Sequence, residues 1–137
     1  MITRQDYFKG RDKLFKDDYS PLIEQNATDT ISRVNRLIEA YNASRKLLGL
    51  PPIKAVVTSG WRPPTVNAQA GGAKKSNHML ALACDISDPD GALDAWCMAN
   101  LPVLEKLGLW LEHPDSTKSW THVQTVPTAS GRRVFRP

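Results

Sequence analysis

Residues 59–86 read SGWRPPTVNAQAGGAKKSNHMLALACDI, and the layout of this stretch decides the fold. Just before it, Lys54 to Ser59 is short, apolar and β-branched, as a buried strand would be, and Gly60 ends the run. Pro63-Pro64 can start one helical turn through Asn67, after which AQAGGAKKSN is too small and polar to be anything but an ordered loop. Leu82 to Ser87 reads as a second strand, with Ala83, Asp85 and Ser87 on one face and Cys84 and Ile86 on the other. The alternation gives Cys84 a core role and turns it away from anything Asp85 holds.

His78 and Asp85 stand with six residues between them. Zinc is bound well by imidazole nitrogen and carboxylate oxygen, and a catalytic site takes three protein ligands and leaves the fourth position to water. The third ligand has few sources, because the remaining histidines are His113 and His122. Leu109 to Glu112 and Trp120 to Thr125 look like two strands joined by the turn-rich HPDSTKS. His122 sits mid-strand in an otherwise apolar hairpin, where an imidazole without a partner costs free energy. His113 precedes Pro114 in the turn and ranks below it. A hairpin centred near Ser116 places Glu112 opposite either Trp120 or His122, and on either register Glu112 and His122 point to the same face.

Elsewhere the chain supplies packing. Residues 1–19 are charged and read as irregular, with Tyr7, Phe8, Leu14 and Phe15 as anchors. Ser20-Pro21 opens a short helix through about Gln25, and Thr28 caps a second, in which Ile31, Val34, Ile38, Tyr41 and Leu48 share a face. Gly49 and Pro51-Pro52 end it. Asp90 is the N-cap of a helix running to about Ala99, Asn100 with Pro102 starts another that Gly108 ends, and the tail TASGRRVFRP is read as loop.

The 137 residues suit one domain, 1–137, with an ordinary 41% of hydrophobic residues and no stretch able to span a bilayer. The N-terminus has basic residues but no apolar run behind them, so cytoplasmic synthesis without a signal peptide is expected. Cys84 and Cys97 imply no disulfide framework. The net charge of +4 favours an anionic partner only weakly, and the basic residues lack the aromatic interleaving of single-strand binders.

Ser76-Asn-His78-Met-Leu-Ala81-Leu-Ala83-Cys-Asp85 resembles the Ser-x-His-x-x-Gly-x-Ala-x-Asp signature of the D-alanyl-D-alanine carboxypeptidase family of zinc peptidases. That group includes phage endolysin peptidases and shares its core with the hedgehog signalling domain. Ser59-Gly-Trp-Arg62-Pro-Pro64 and Val66-Asn67 resemble its upstream blocks, and Trp120-Thr-His122 is similar to the block carrying its last ligand. The resemblance implies an α+β fold, with a small antiparallel sheet holding a zinc site covered by helices. It implies Zn2+ held by His78, Asp85 and His122, Arg62 on the substrate and its oxyanion, and Ser76 lining the substrate site. Two positions depart from the pattern: Ala81 replaces the glycine, and Ser119 stands where many members carry the catalytic acid. A hydroxyl cannot serve as the base at neutral pH, so the role moves to Glu112, with Asp115 in reserve.

The expected activity is zinc-dependent hydrolysis of peptidoglycan stem or cross-link peptides by a monomer, without nucleic-acid or membrane partners. A phage-type lysin fits, reaching the cell wall after release or in a virion. The alternative is a non-catalytic zinc-containing module for cell-wall or virion binding on the same fold.

Overall fold

The computed structural model describes residues 1–137. Its longest element is the helix Pro21–Leu47, here α3, following α1 (Arg4–Phe8) and α2 (Arg11–Leu14). Ser20 caps α3 through its hydroxyl, and no proline or glycine interrupts residues 22–47. The two helices expected on either side of Thr28 are therefore one. Thr28 is an interior residue whose hydroxyl donates to the Glu24 carbonyl one turn back. Ile23, Ala27, Thr30, Val34, Leu37, Ile38 and Tyr41 form the buried stripe, at helical spacing. Leu48, expected on that face, lies beyond the last turn and is 76% exposed.

The N-terminal residues are not irregular. Thr3 and Asp6 form a reciprocal capping box that starts α1. From there the segment is stitched to the sheet: the Tyr7 hydroxyl donates to the Ala83 carbonyl at 2.7 Å, and Lys9 Nζ to the Val57 carbonyl at 2.8 Å. Tyr7 and Phe8 are buried anchors as expected, whereas Leu14 is 77% exposed.

The sheet comprises β1 (Val57–Ser59), β2 (Ala83–Ser87), β3 (Trp110–Glu112), β4 (Trp120–Gln124) and β5 (Val134–Phe135), in the order β1-β2-β4-β3-β5. Four strands pair antiparallel. The fifth makes the sheet mixed, because β5 runs parallel to β3 with Leu111 beside Val134 and Glu112 beside Phe135. The tail therefore ends in a strand where a loop was expected; two residues are too few to show alternation. Cys84, Ile86, Leu111 and Val123 join Val34, Leu37 and Leu104 in the core, so one face of the sheet packs on helices. Asp85 and His122 occupy the other face, directly paired in the β2–β4 register. The fold is α+β.

Helix α4 is Pro64–Gln69, α5 is Ala92–Ala99 and α6 is Leu101–Leu107, which Gly108 ends. The start of α5 is held mainly by Asp88 rather than Asp90: the buried Asp88 carboxylate accepts the amides of Leu93 and Asp94, while Asp90 takes only that of Ala92. Cys84 and Cys97 are buried free thiols, and burial pushes both up, Cys97 to about 12. No helix is long and apolar enough to cross a membrane.

Ala81 lies in the left-handed region at φ 57°, fully buried, closing the 3-10 turn Asn77–Leu80. A side chain there costs about 1–2 kcal/mol. We expect Ala81→Gly to stay within about 1 kcal/mol of the parent, because relief of strain is offset by the lost methyl and the freer unfolded chain. Ala81→Val, branched at positive φ, should lose more than about 2 kcal/mol in urea unfolding.

Candidate metal centre

Three consecutive residues after β1 organise the site. Gly60 offers its carbonyl to His78 Nδ1 at 2.8 Å, and Arg62 donates its amide to the His78 carbonyl at 3.0 Å. Between them the fully buried Trp61 donates from its indole to the Met79 carbonyl and packs edge-on against Phe8 and Tyr19. Glycine is required at position 60 because a Cβ there would strike the Tyr7 backbone carbonyl. Ser76 caps the turn carrying His78, its hydroxyl accepting the His78 amide at 3.2 Å. At the far end of that turn α3 ties down the chain, Asn26 donating to the Leu80 carbonyl and Thr30 to that of Ala81.

The His78 ring is fixed in one tautomer. A carbonyl can only accept, so Nδ1 carries the hydrogen and Nε2 presents its lone pair. Nε2 is buried, 3.3 Å from Asp85 Oδ2 but not aligned with it as a hydrogen bond, and it has no partner. Burial holds the His78 pKa below its ordinary value, so the ring is neutral, the form that binds metal.

His122 is held from both sides. Its Nδ1 lies 2.7 Å from Asp85 Oδ1 and its Nε2 2.9 Å from Gln124 Oε1. Gln124, 2% exposed, donates its own amide nitrogen to the Val126 carbonyl at 2.8 Å, so its oxygen must face the imidazole. Gln124 therefore accepts Nε2–H and leaves Nδ1 toward Asp85 and His78. The rings of His78 and His122 are 5.2 Å apart, and Phe135 from β5 closes the outer side of His122 edge-on at 6.0 Å.

Electrostatics follow from this packing. Burial alone would push the Asp85 carboxyl up, but the hydrogen bond from His122 and the closeness of both imidazoles outweigh it and hold Asp85 well below the usual carboxylate range. Burial alone would lower His122, yet its contact with Asp85 raises it. One ligand atom each from His78, Asp85 and His122 lies within 4.8 Å of the others. Two nitrogens and an oxygen, one nitrogen orphaned and buried, form a donor set that fits a divalent cation such as zinc.

His113 and Asp115 stand apart from this group. His113 caps the 3-10 turn Pro114–Ser116 by accepting the Asp115 amide, and its Nε2 lies 3.2 Å from Arg136 Nη2. The Asp115 side chain is 71% exposed and pairs with Arg136 at 3.2 Å. Glu112 is half-buried at the end of β3. The β3–β4 register pairs Leu111 with Val123, and one step further sets Glu112 across from His122, the second of the two expected registers. Burial foremost raises the Glu112 pKa, with the Asp85 charge adding to it and His122 opposing. Ser119 is exposed in the turn before β4. Arg62 reaches Ser76 Oγ at 3.4 Å, and its Nε is buried without a partner.

Gln124 escaped the sequence reading, although its two-residue offset from His122 on one strand places both on one face. We expect Gln124→Met to weaken zinc binding about 10–100-fold in a chelator competition while the fold persists.

Comparisons with curated proteins and with solved structures each return no match. The sequence model of the family described as Peptidase M15 matches residues 17–124, a span that runs from before α3 to the end of β4 and takes in His78, Asp85 and His122. With that much of its length matched, the chain belongs to the peptidase M15 family.

Proposed function

We propose that the chain is a zinc-dependent peptidase, a single domain of the phage-lysin type, that hydrolyses peptide bonds of bacterial peptidoglycan as a monomer at the cell wall. The observation that carries this is the buried lone pair of His78 Nε2, orphaned and facing Asp85 and His122. His78, Asp85 and His122 would hold the ion. When bound, zinc supplies Lewis acidity and lowers the pKa of water to about 7.

The remaining work falls to the chain's own residues. Glu112, raised by burial toward the range useful for a base, takes the proton of the attacking water and passes it to the leaving amine. Arg62, whose guanidinium has spare donors, stabilises the developing oxyanion. Ser76 holds both the His78 amide and Arg62, keeping the substrate side in register with the ligands. Gln124 and Gly60 fix the two rings.

The test is digestion of purified cell walls by zinc-loaded protein, followed by mass spectrometry of defined muropeptides. Release of new amino groups, abolished by a chelator and restored by zinc, is the expected result and identifies the bond cut. Retention on walls without release would instead establish the binding module.

A further inference from the structure

The residues matched by the family model stop at Gln124, the end of β4, yet the chain beyond them returns to the metal centre. Phe135 is 8% exposed although β5 is a two-residue strand at the edge of the sheet. Its register sets it beside Glu112, and Glu112 stands across from His122, so β3 lies between Phe135 and His122. Two strand spacings amount to about 9.5 Å. The Phe135 and His122 rings are 6.0 Å apart at 85°, so the phenyl leans inward over β3 to reach the imidazole.

So short a strand is held by its backbone and by its arginines. Leu111 and His113 donate their amides to the Arg133 and Phe135 carbonyls at 2.9 and 2.8 Å. Arg133 Nη1 donates to the Leu109 carbonyl at 3.0 Å, its guanidinium lies 4.4 Å from the centre of the Trp110 ring, and Arg136 pairs with Asp115. Val134 packs against the core.

His122 stands between two rings, His78 on one side and Phe135 on the other. Its bond to Gln124 Oε1 fixes the tautomer, but one in-plane bond leaves the tilt of the ring free. An edge-on neighbour restrains that tilt. Covering the outer side also keeps water from the Nε2–H bond, which is stronger in a dry surrounding, and the apolar shell of a metal site governs solvent access to it.

We propose that Phe135 is a positioning residue of the metal centre: it backs His122 and shields the bond to Gln124, so that the segment after β4 sets how tightly the ion is held. This rests on His122 serving as a metal ligand, part of the function proposed above.

The experiment uses the full-length protein and two readouts besides activity. In a chelator competition Phe135→Ala should weaken zinc binding about tenfold or more. Phe135→Leu, which keeps an apolar cover, should recover most of the loss. Val134→Ala loosens the same strand from its core side and should leave zinc affinity at the parental level. Because Phe135 acts through the His122–Gln124 bond, Phe135→Ala should cost much less in a Gln124→Met background than alone. At saturating zinc, the His122 Nε2–H resonance should exchange slowly with water in the parent and be broadened away in Phe135→Ala.

Parental zinc affinity and slow exchange in a folded Phe135→Ala protein would overturn the proposal. So would equal zinc losses in Val134→Ala and Phe135→Ala, or losses that simply add to that of Gln124→Met. Weakened zinc binding in Phe135→Ala, with no peptide cleaved by the parent, would uphold the positioning role and overturn the peptidase function. A parent that holds no zinc would overturn both.

Discussion

Asp85→Ala should empty the metal site and destabilise the metal-free fold together, a larger combined effect than any other single change. Its carboxylate meets His122 Nδ1 at 2.7 Å and His78 Nε2 at 3.3 Å, and its side chain is 14% exposed. Removing one partner of a buried pair leaves the other uncompensated, at a cost of about 3–5 kcal/mol. The signature is a pH dependence that the variant lacks. His122 has a raised pKa in the folded state, so its contribution is fully present below the unfolded value of about 6.5 and is lost as pH rises through the raised value. Asp85 is depressed, so its contribution is present above about 3.9 and is lost as pH falls. In urea unfolding of the metal-free parent these two contributions overlap between about pH 4 and 6.5, where the lowered His78 pKa works against them because the unfolded ring takes up a proton; Asp85→Ala should lose both contributions and keep the His78 penalty. Parent and Asp85→Ala profiles of the same shape would mean the pair contributes nothing.

Glu112→Gln should lower kcat by about 10²–10⁴ while zinc content stays at the parental level, the range expected for loss of a general base. The amide keeps the size of the side chain but cannot take a proton. A base must be deprotonated to act, so kcat should rise as pH passes upward through the Glu112 pKa. Burial places that limb above the ordinary carboxyl value. Measured with zinc held saturating, the limb should vanish in the variant. Should Glu112→Gln keep the parental rate, the exposed Asp115 is the next carboxylate to replace, although its pairing with Arg136 gives it a competing commitment.

The triad was legible because its members sit on elements whose geometry is stated by composition. Period-two alternation alone separates Asp85 from Cys84, and the observed β2–β4 register pairs Asp85 directly with His122. The hairpin reading left two registers for Glu112, since turn length alone does not choose between them. What was missed depends on contacts distant in sequence. Gln124 is an ordinary strand residue until its amide is seen anchored on Val126. The single helix α3 was divided because Thr28 is a good N-cap residue by type, and only its hydroxyl's bond to Glu24 shows otherwise. β5 owes its existence to its neighbour β3 and to burial of Phe135 beside His122, neither of which leaves a local pattern.

The decisive measurement is zinc content per chain after loading and desalting, for the parent, His113→Ala and His122→Ala. About one equivalent in the parent and in His113→Ala, with nearly none in His122→Ala, is the predicted outcome for a three-ligand site. A full equivalent in His122→Ala, with the metal lost from His113→Ala instead, would contradict it.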